Sequence, residues 1–227
     1  RPAESGWLAT RQTLRSAVDD ASAWVRRAHV GPGTVTFPGG ELKLAGLAWE
    51  DRTLTVNAAS YQDFKVDAKL MAPATADELT LTAVINQGEG TVTVVSRGAD
   101  FEAAIAAWDQ PARLTAQFPA QGWLPQTAAL NASNWVLPGD KLQLQDYYTT
   151  AQGSAQVTWQ NGRYAVDVSL QGKPVAEGKI PPLDVALRGQ GDLQTLQVDA
   201  LDVQLPGLSA ALQAPFAVNR QGRIDGE

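Results

Sequence analysis

The residues that could do chemistry are few and scattered. The chain has one His and no Cys, so a Ser nucleophile has only His29 as its base, and a Cys nucleophile does not exist. His29 falls at the end of an amphipathic stretch, where a helix-terminal or surface position suits it. A zinc or iron site would have to be built almost entirely of carboxylates. A glycosidase needs two carboxyl groups about 5 to 9.5 Å apart across a cleft. The obvious doublets are Asp19-Asp20, Glu50-Asp51 and Asp77-Glu78. The first lies on the polar face of a predicted helix and the others at strand ends or turns, all positions that solvent satisfies. The sequence therefore predicts no catalytic residue, no metal and no cofactor.

Other motifs are equally bland. Gly88-Glu89-Gly90 and Gly189-Gln190-Gly191 sit between predicted strands and read as turns, since neither runs into a helix as a phosphate loop must. Asn131-Ala132-Ser133 matches a glycosylation sequon, a pattern common by chance. With 18 Lys and Arg against 24 Asp and Glu, the basic residues occur singly and form no stripe for a phosphate backbone, which argues against nucleic acid. Of the seven Trp residues, Trp49, Trp135 and Trp159 fall in alternating stretches, while Trp7, Trp24 and Trp108 fall on helical apolar faces. Packing suits most of them.

The elements that carry these residues are mostly strands. From Trp7 to His29, the residues Trp7, Leu14, Val18, Ala21, Val25 and Ala28 follow the helical period, with Ser5 as N-cap, Arg26 and Arg27 at the negative end of the dipole, and Gly31-Pro32-Gly33 as the stop. A second short helical stretch is expected over Phe101 to Trp108. Elsewhere the period is two: Glu41 to Leu44, Thr53 to Val56, Leu79 to Ala83, Thr91 to Val94, Lys141 to Leu144, Leu183 to Gly189, Leu193 to Leu205 and Leu208 to Val218. In VTWQNGRYAVDVSL, running from Val157, alternation extends both ways from Asn161-Gly162, the strongest short hairpin signal. Roughly fourteen strands of about 5 to 10 residues result. Joined by short turns, they predict an antiparallel sheet that grows strand by strand. The chain thus divides into an amphipathic helix over 1–30 and a β segment over 31–227.

No run of about 18 apolar residues is present and no signal peptide opens the chain. The lack of Cys is compatible with a bacterial envelope protein. Both ends, Arg1-Pro2-Ala3-Glu4 and Gly222 to Glu227, read as cuts from a longer protein.

The order Gly153-Ser154-Ala155-Gln156-Val157-Thr158-Trp159, turn, Tyr164-Ala165-Val166-Asp167-Val168, followed by Leu183 to Gly191, Leu205-Pro206-Gly207-Leu208 and Ala217 to Gly226, resembles the repetitive β segments of the AsmA-like, TamB and YdbH group of bacterial envelope proteins. The resemblance spans most of the chain after Gly31. It implies a mainly β fold: a long antiparallel sheet curled lengthwise into an open apolar groove, like a taco; the amphipathic helix that precedes it here is not part of that signature. It further implies a nonenzymatic periplasmic bridge, anchored in the inner membrane by a segment outside this chain. The groove would carry phospholipid acyl chains between inner and outer membranes, and an outer- or inner-membrane protein would be a partner of the whole protein. A role in outer-membrane protein assembly belongs to the same implication.

Strand parity names the expected lining: Leu42, Leu44, Leu54, Val56, Leu79, Leu81, Val92 and Val94, then Val166, Val168, Val185, Leu187, Val198 and Val203. Any bulge would flip the parity of its strand. Fourteen strands at about 4.8 Å would make a groove on the order of 65 Å long. The alternative is a β-sandwich that binds carbohydrate or protein within a large cell-surface protein; two packed sheets bury the same alternating residues. With only 5 Phe and 1 Met, the inward positions are mostly Leu, Val and Ala, walls that suit acyl chains.

Overall fold

The helical period ends at Trp24. In a computed structural model, α1 (Trp7–Trp24) is followed by Val25 in extended conformation, and a strand already begins at Arg27. The expected helix to His29 is therefore too long: Val25 and Val30 are β-branched and favour extended backbone, and His29 is an exposed strand residue. The structure describes residues 6–38, 40–62, 64–86, 89–107, 110–140, 146–175 and 180–226. Ser5, Trp108 and the predicted strand Lys141 to Leu144 lie outside the described residues. The observed N-cap is Gly6, which makes no side-chain capping bond.

The chain forms two units by contact, Arg1–Asp109 with Thr115–Leu124, and Gln110–Leu114 with Pro125–Glu227. Both are antiparallel. In the first, β1 (Arg27–Val30), β2 (Gly33–Phe37), β3 (Gly40–Leu44), β4 (Gly46–Glu50), β5 (Thr53–Tyr61), β6 (Phe64–Met71), β7 (Glu78–Ile85), β8 (Gly90–Arg97) and β9 (Asp100–Ala107) follow in chain order. Pairing is β1 with β4, β2 with β3, and both β3 and β4 with β5; from β5 to β9 each strand pairs with the next. Val30 opposite Leu47 and Gly33 opposite Leu44 keep one register. Thus β1 with β2, and β3 with β4, are two rows broken by Gly31-Pro32 and by Ala45. Proline lacks the N–H a ladder needs, which accounts for the first break. Phe101 to Ala107 is strand β9, not the helix expected there; period-two pairing with β8 overrides the short helical spacing of Phe101, Ala104 and Ile105.

β10 (Gln110–Gln117) is divided between the units. The second unit continues with β11 (Thr127–Pro138), β12 (Tyr148–Gln160), β13 (Arg163–Pro174), β14 (Leu183–Asp192), β15 (Thr195–Leu205), β16 (Leu208–Ala211), β17 (Phe216–Asn219) and β18 (Ile224–Gly226). From β11 to β15 each strand pairs with the next; β16 and β17 share the far side of β15, and β18 pairs with β17. The β12–β13 hairpin turns at Asn161 (φ 49°) and Gly162 (φ 90°), the two left-handed residues that a tight hairpin requires. Gly189-Gln190-Gly191 is no turn: it lies inside β14.

The fold is thus mainly β and antiparallel, with one helix and eighteen strands among the described residues. The excess over fourteen arises partly because broken rows count twice.

Helix α1 belongs to the first unit, and of its apolar stripe Trp7 and Val18 make the contact while Leu14 and Trp24 do not. Leu14 is 41% exposed and Trp24 90%, whereas Arg11 and Val18 are the buried positions. Val18 packs with Ala72 and Leu79, and Trp49 lies against this cluster. Trp7 sits edge-on to Phe101 with ring centres 5.5 Å apart, and equally close to Phe118. The Arg15 guanidinium donates to the carbonyls of Pro73, Ala76 and Glu78. Three backbone acceptors between Pro73 and Glu78 thus share one guanidinium fork.

Candidate apolar binding face

Residues directly opposite in an antiparallel pair point to the same side of the sheet, so the registers fix which side chains share a face. In the first unit, Trp49, Leu54, Leu70, Leu81, Val94 and Ala103 form one row across six strands. The next row is Leu47, Val56, Ala68, Ala83, Val92 and Ile105. Leu79 stands opposite Ser96, itself opposite Phe101, one step along the same face. Lys43 is opposite Ser60 and Ser60 opposite Lys65, which puts the alternate residues Leu42 and Leu44 on the side of Val66. All eight lining residues expected in this unit lie on one face.

In the second unit, Leu130, Val157, Val166, Gly189, Val198 and Phe216 form one row. Ala132, Ala155, Val168, Leu187 and Leu201 form the next, and Gly153, Leu170, Val185, Val203 and Ala210 the one beyond. All six expected residues share this face too. The opposite face is polar: Gln156, Asp167 and Arg188 lie in line, as do Gln152, Gln171, Asp184 and Gln204.

The expected lining omitted Trp49, Leu70, Leu130 and Leu170, whose alternation is equally regular; Ile105 was hidden by its helical spacing and Leu201 by the bulge in β15. It also missed the glycines. Gly153, Gly172, Gly189 and Gly191 all stand on the apolar face. A Cβ at Gly153 would lie 2.5 Å from the Ser169 carbonyl oxygen, one at Gly189 2.6 Å from that of Gln197, and one at Gly172 2.8 Å from the Tyr148 ring. These glycines let backbone and side chains of the neighbouring strands approach closely on the apolar face.

The face is not sealed. Leu81 is 39% exposed, and most of the lining residues are half-buried. Among the described residues, the buried hydrophobics larger than alanine are Val18, Leu79 and Val198. The chain exposes 14964 Å². A compact protein of 24.1 kDa would expose about 10,000 Å², and two compact bodies of half that mass about 12,000 Å² together.

The candidate chemical groups serve structure. Each carboxylate doublet supplies an ion pair: Asp19 to Arg52, Glu50 to Arg27, Asp77 to Arg11 at 2.6 Å, and Glu78 to Arg97 at 2.8 Å. The hydrogen bond from Arg11 holds the Asp77 carboxyl below its ordinary range; those from Thr80 and Arg97 do the same for Glu78. Trp49, Trp135 and Trp159 donate through Nε1 to the carbonyls of Val25, Pro111 and Pro125, at 2.8, 2.6 and 2.7 Å. Among the described residues, no group of three or more His, Asp or Glu could hold a metal ion, and no helix is long and apolar enough to cross a membrane. Comparisons with family models, curated proteins and solved structures found no match.

Proposed function

We propose that this chain is a nonenzymatic, lipid-carrying segment of an envelope protein of the AsmA-like, TamB and YdbH kind, whose apolar face holds phospholipid acyl chains in the periplasm on their way between inner and outer membranes. The observation that carries the reading is the continuous aliphatic face of each unit, left partly exposed. Each methylene removed from water contributes about 0.8 kcal/mol, so such a face favours apolar company. Its rows carry no charged side chain that would single out one headgroup or stop a chain from sliding. The polar opposite face keeps the sheet in solution while the apolar face is occupied. Anchoring in the inner membrane and contact with membrane proteins would fall to parts of the protein beyond this segment.

The test is lipid extraction from protein purified out of a bacterial envelope, followed by mass spectrometry. Near-stoichiometric phospholipid, lost when Val166→Asp and Val185→Arg are introduced together, is the expected result. Protein free of lipid that instead captures a glycan or protein on a surface patch would replace this reading with that of a binding module.

A further inference from the structure

The contacts of α1 trace a line across the first unit. Trp7 lies on Phe101 and Phe118, Arg11 reaches the Ser96 carbonyl at 3.4 Å, Val18 covers Leu79 and Ala72, and Val25 accepts from Trp49. Leu79, Ser96 and Phe101 are one register row. The helix of eighteen residues is about 27 Å long, close to the width of six strands. It therefore runs crosswise over the strand ends, on the apolar face itself.

This covering is poorly made for permanence. A buried Arg, 4% exposed, stands where an aliphatic residue would seal the sheet, and its ion-pair partner Asp77 is 67% exposed. Arg11 Nε, Ser96 Oγ and Trp7 Nε1 are buried without a protein hydrogen-bond partner, a cost concentrated in this one contact. The helix also has no side-chain N-cap, no acidic residue in its first turn and no basic residue in its last. It thus depends on docking for its stability.

We propose that α1 is a displaceable strap: it occupies the strip formed by Ala72, Leu79 and Ser96, and an acyl chain entering the first unit's face competes with it for that strip. This inference rests on the lipid-carrying reading. When the strap is docked, the strip is closed; when a chain enters, Arg11 and Arg15 exchange loop carbonyls for water and the helix lifts.

The test uses the unmodified protein with cis-parinaric acid, a fluorescent fatty acid, as probe. Saturating probe should speed amide hydrogen exchange in α1 several-fold while leaving β7 and β8 protected. Unchanged or slower exchange in α1, with the probe demonstrably bound by fluorescence, overturns the strap and leaves the lipid reading standing. No fluorescence gain at any probe concentration sinks both. Two variants give a second measurement. Arg11→Ala should bind the probe several-fold more tightly than the parent. In a chain without native Cys, Val18→Cys with Ala72→Cys should bind more weakly oxidised than reduced. Equal affinities in both comparisons contradict the proposal.

Discussion

Val198 and Val203 lie five residues apart in β15, an odd spacing, yet both stand on the apolar face. A register shift at Arg188/Gly189 reconciles them: Gly189 pairs with Val198, whereas Arg188 pairs with Ala200. The bulge absorbs one residue of β15 and restores Leu201 and Val203 to the apolar side.

Gly189 is the residue that permits this crossing, because a Cβ there would meet the Gln197 carbonyl at 2.6 Å. Gly189→Ala should cost about 1–3 kcal/mol in urea unfolding. Gly31→Ala, where a Cβ meets nothing within 4 Å, should stay within about 0.5 kcal/mol of the parent.

The contact beneath the helix predicts an unequal pair of neighbours on one strand. Leu79 is 5% exposed under Val18, while Leu81 is 39% exposed. Leu79→Ala should cost about 2–5 kcal/mol and Leu81→Ala under about 1.5 kcal/mol, measured from the same urea curves.

Acid should loosen the Arg11–Asp77 and Arg97–Glu78 pairs. Asp77 and Glu78 both have carboxyls held below their ordinary values of 3.8 and 4.5. A carboxyl depressed on folding contributes stability that is present above its unfolded value and is lost as pH falls through the folded one. The urea midpoint should therefore fall as pH drops below about 4.5. Asp77→Asn should flatten part of that slope at a cost of about 0–1 kcal/mol at neutral pH, since the Asp77 side chain is 67% exposed and an amide oxygen there can still accept from Arg11.

Much of the β architecture was legible because alternation dictates both strand and face. Val166, Val168, Val185 and Leu187 take their places from parity alone. What parity could not give were features decided by contacts distant in sequence. Phe101 and Ile105 have helical spacing but pair with Ser96 and Val92. Gly189 and Gly191 read as a turn because nothing local shows that a neighbouring strand crowds them. The contacts of α1 are illegible for a related reason: Arg11 and Arg15 look like solvent-facing charges until the segment from Pro73 to Glu78 supplies carbonyls for them. The apolar face itself was readable; its partial cover was not.

Two variants separate lipid passage from folding. Val166→Asp or Val185→Arg, on the apolar face, should block lipid passage in a vesicle-to-vesicle assay with the whole protein while shifting its unfolding little, because the face is open enough for water to solvate the new charge. Ala186→Ser, on the polar face, should leave passage unchanged.

The central claim is that the apolar face, and not the polar one, meets acyl chains. A photoreactive residue at Val166, at Val185 or at outward Asp167, irradiated in cells and followed by mass spectrometry, asks this directly. Phospholipid attached at Val166 and Val185 but not at Asp167 is the predicted result. Attachment as frequent at Asp167, or absent from all three, would contradict the account.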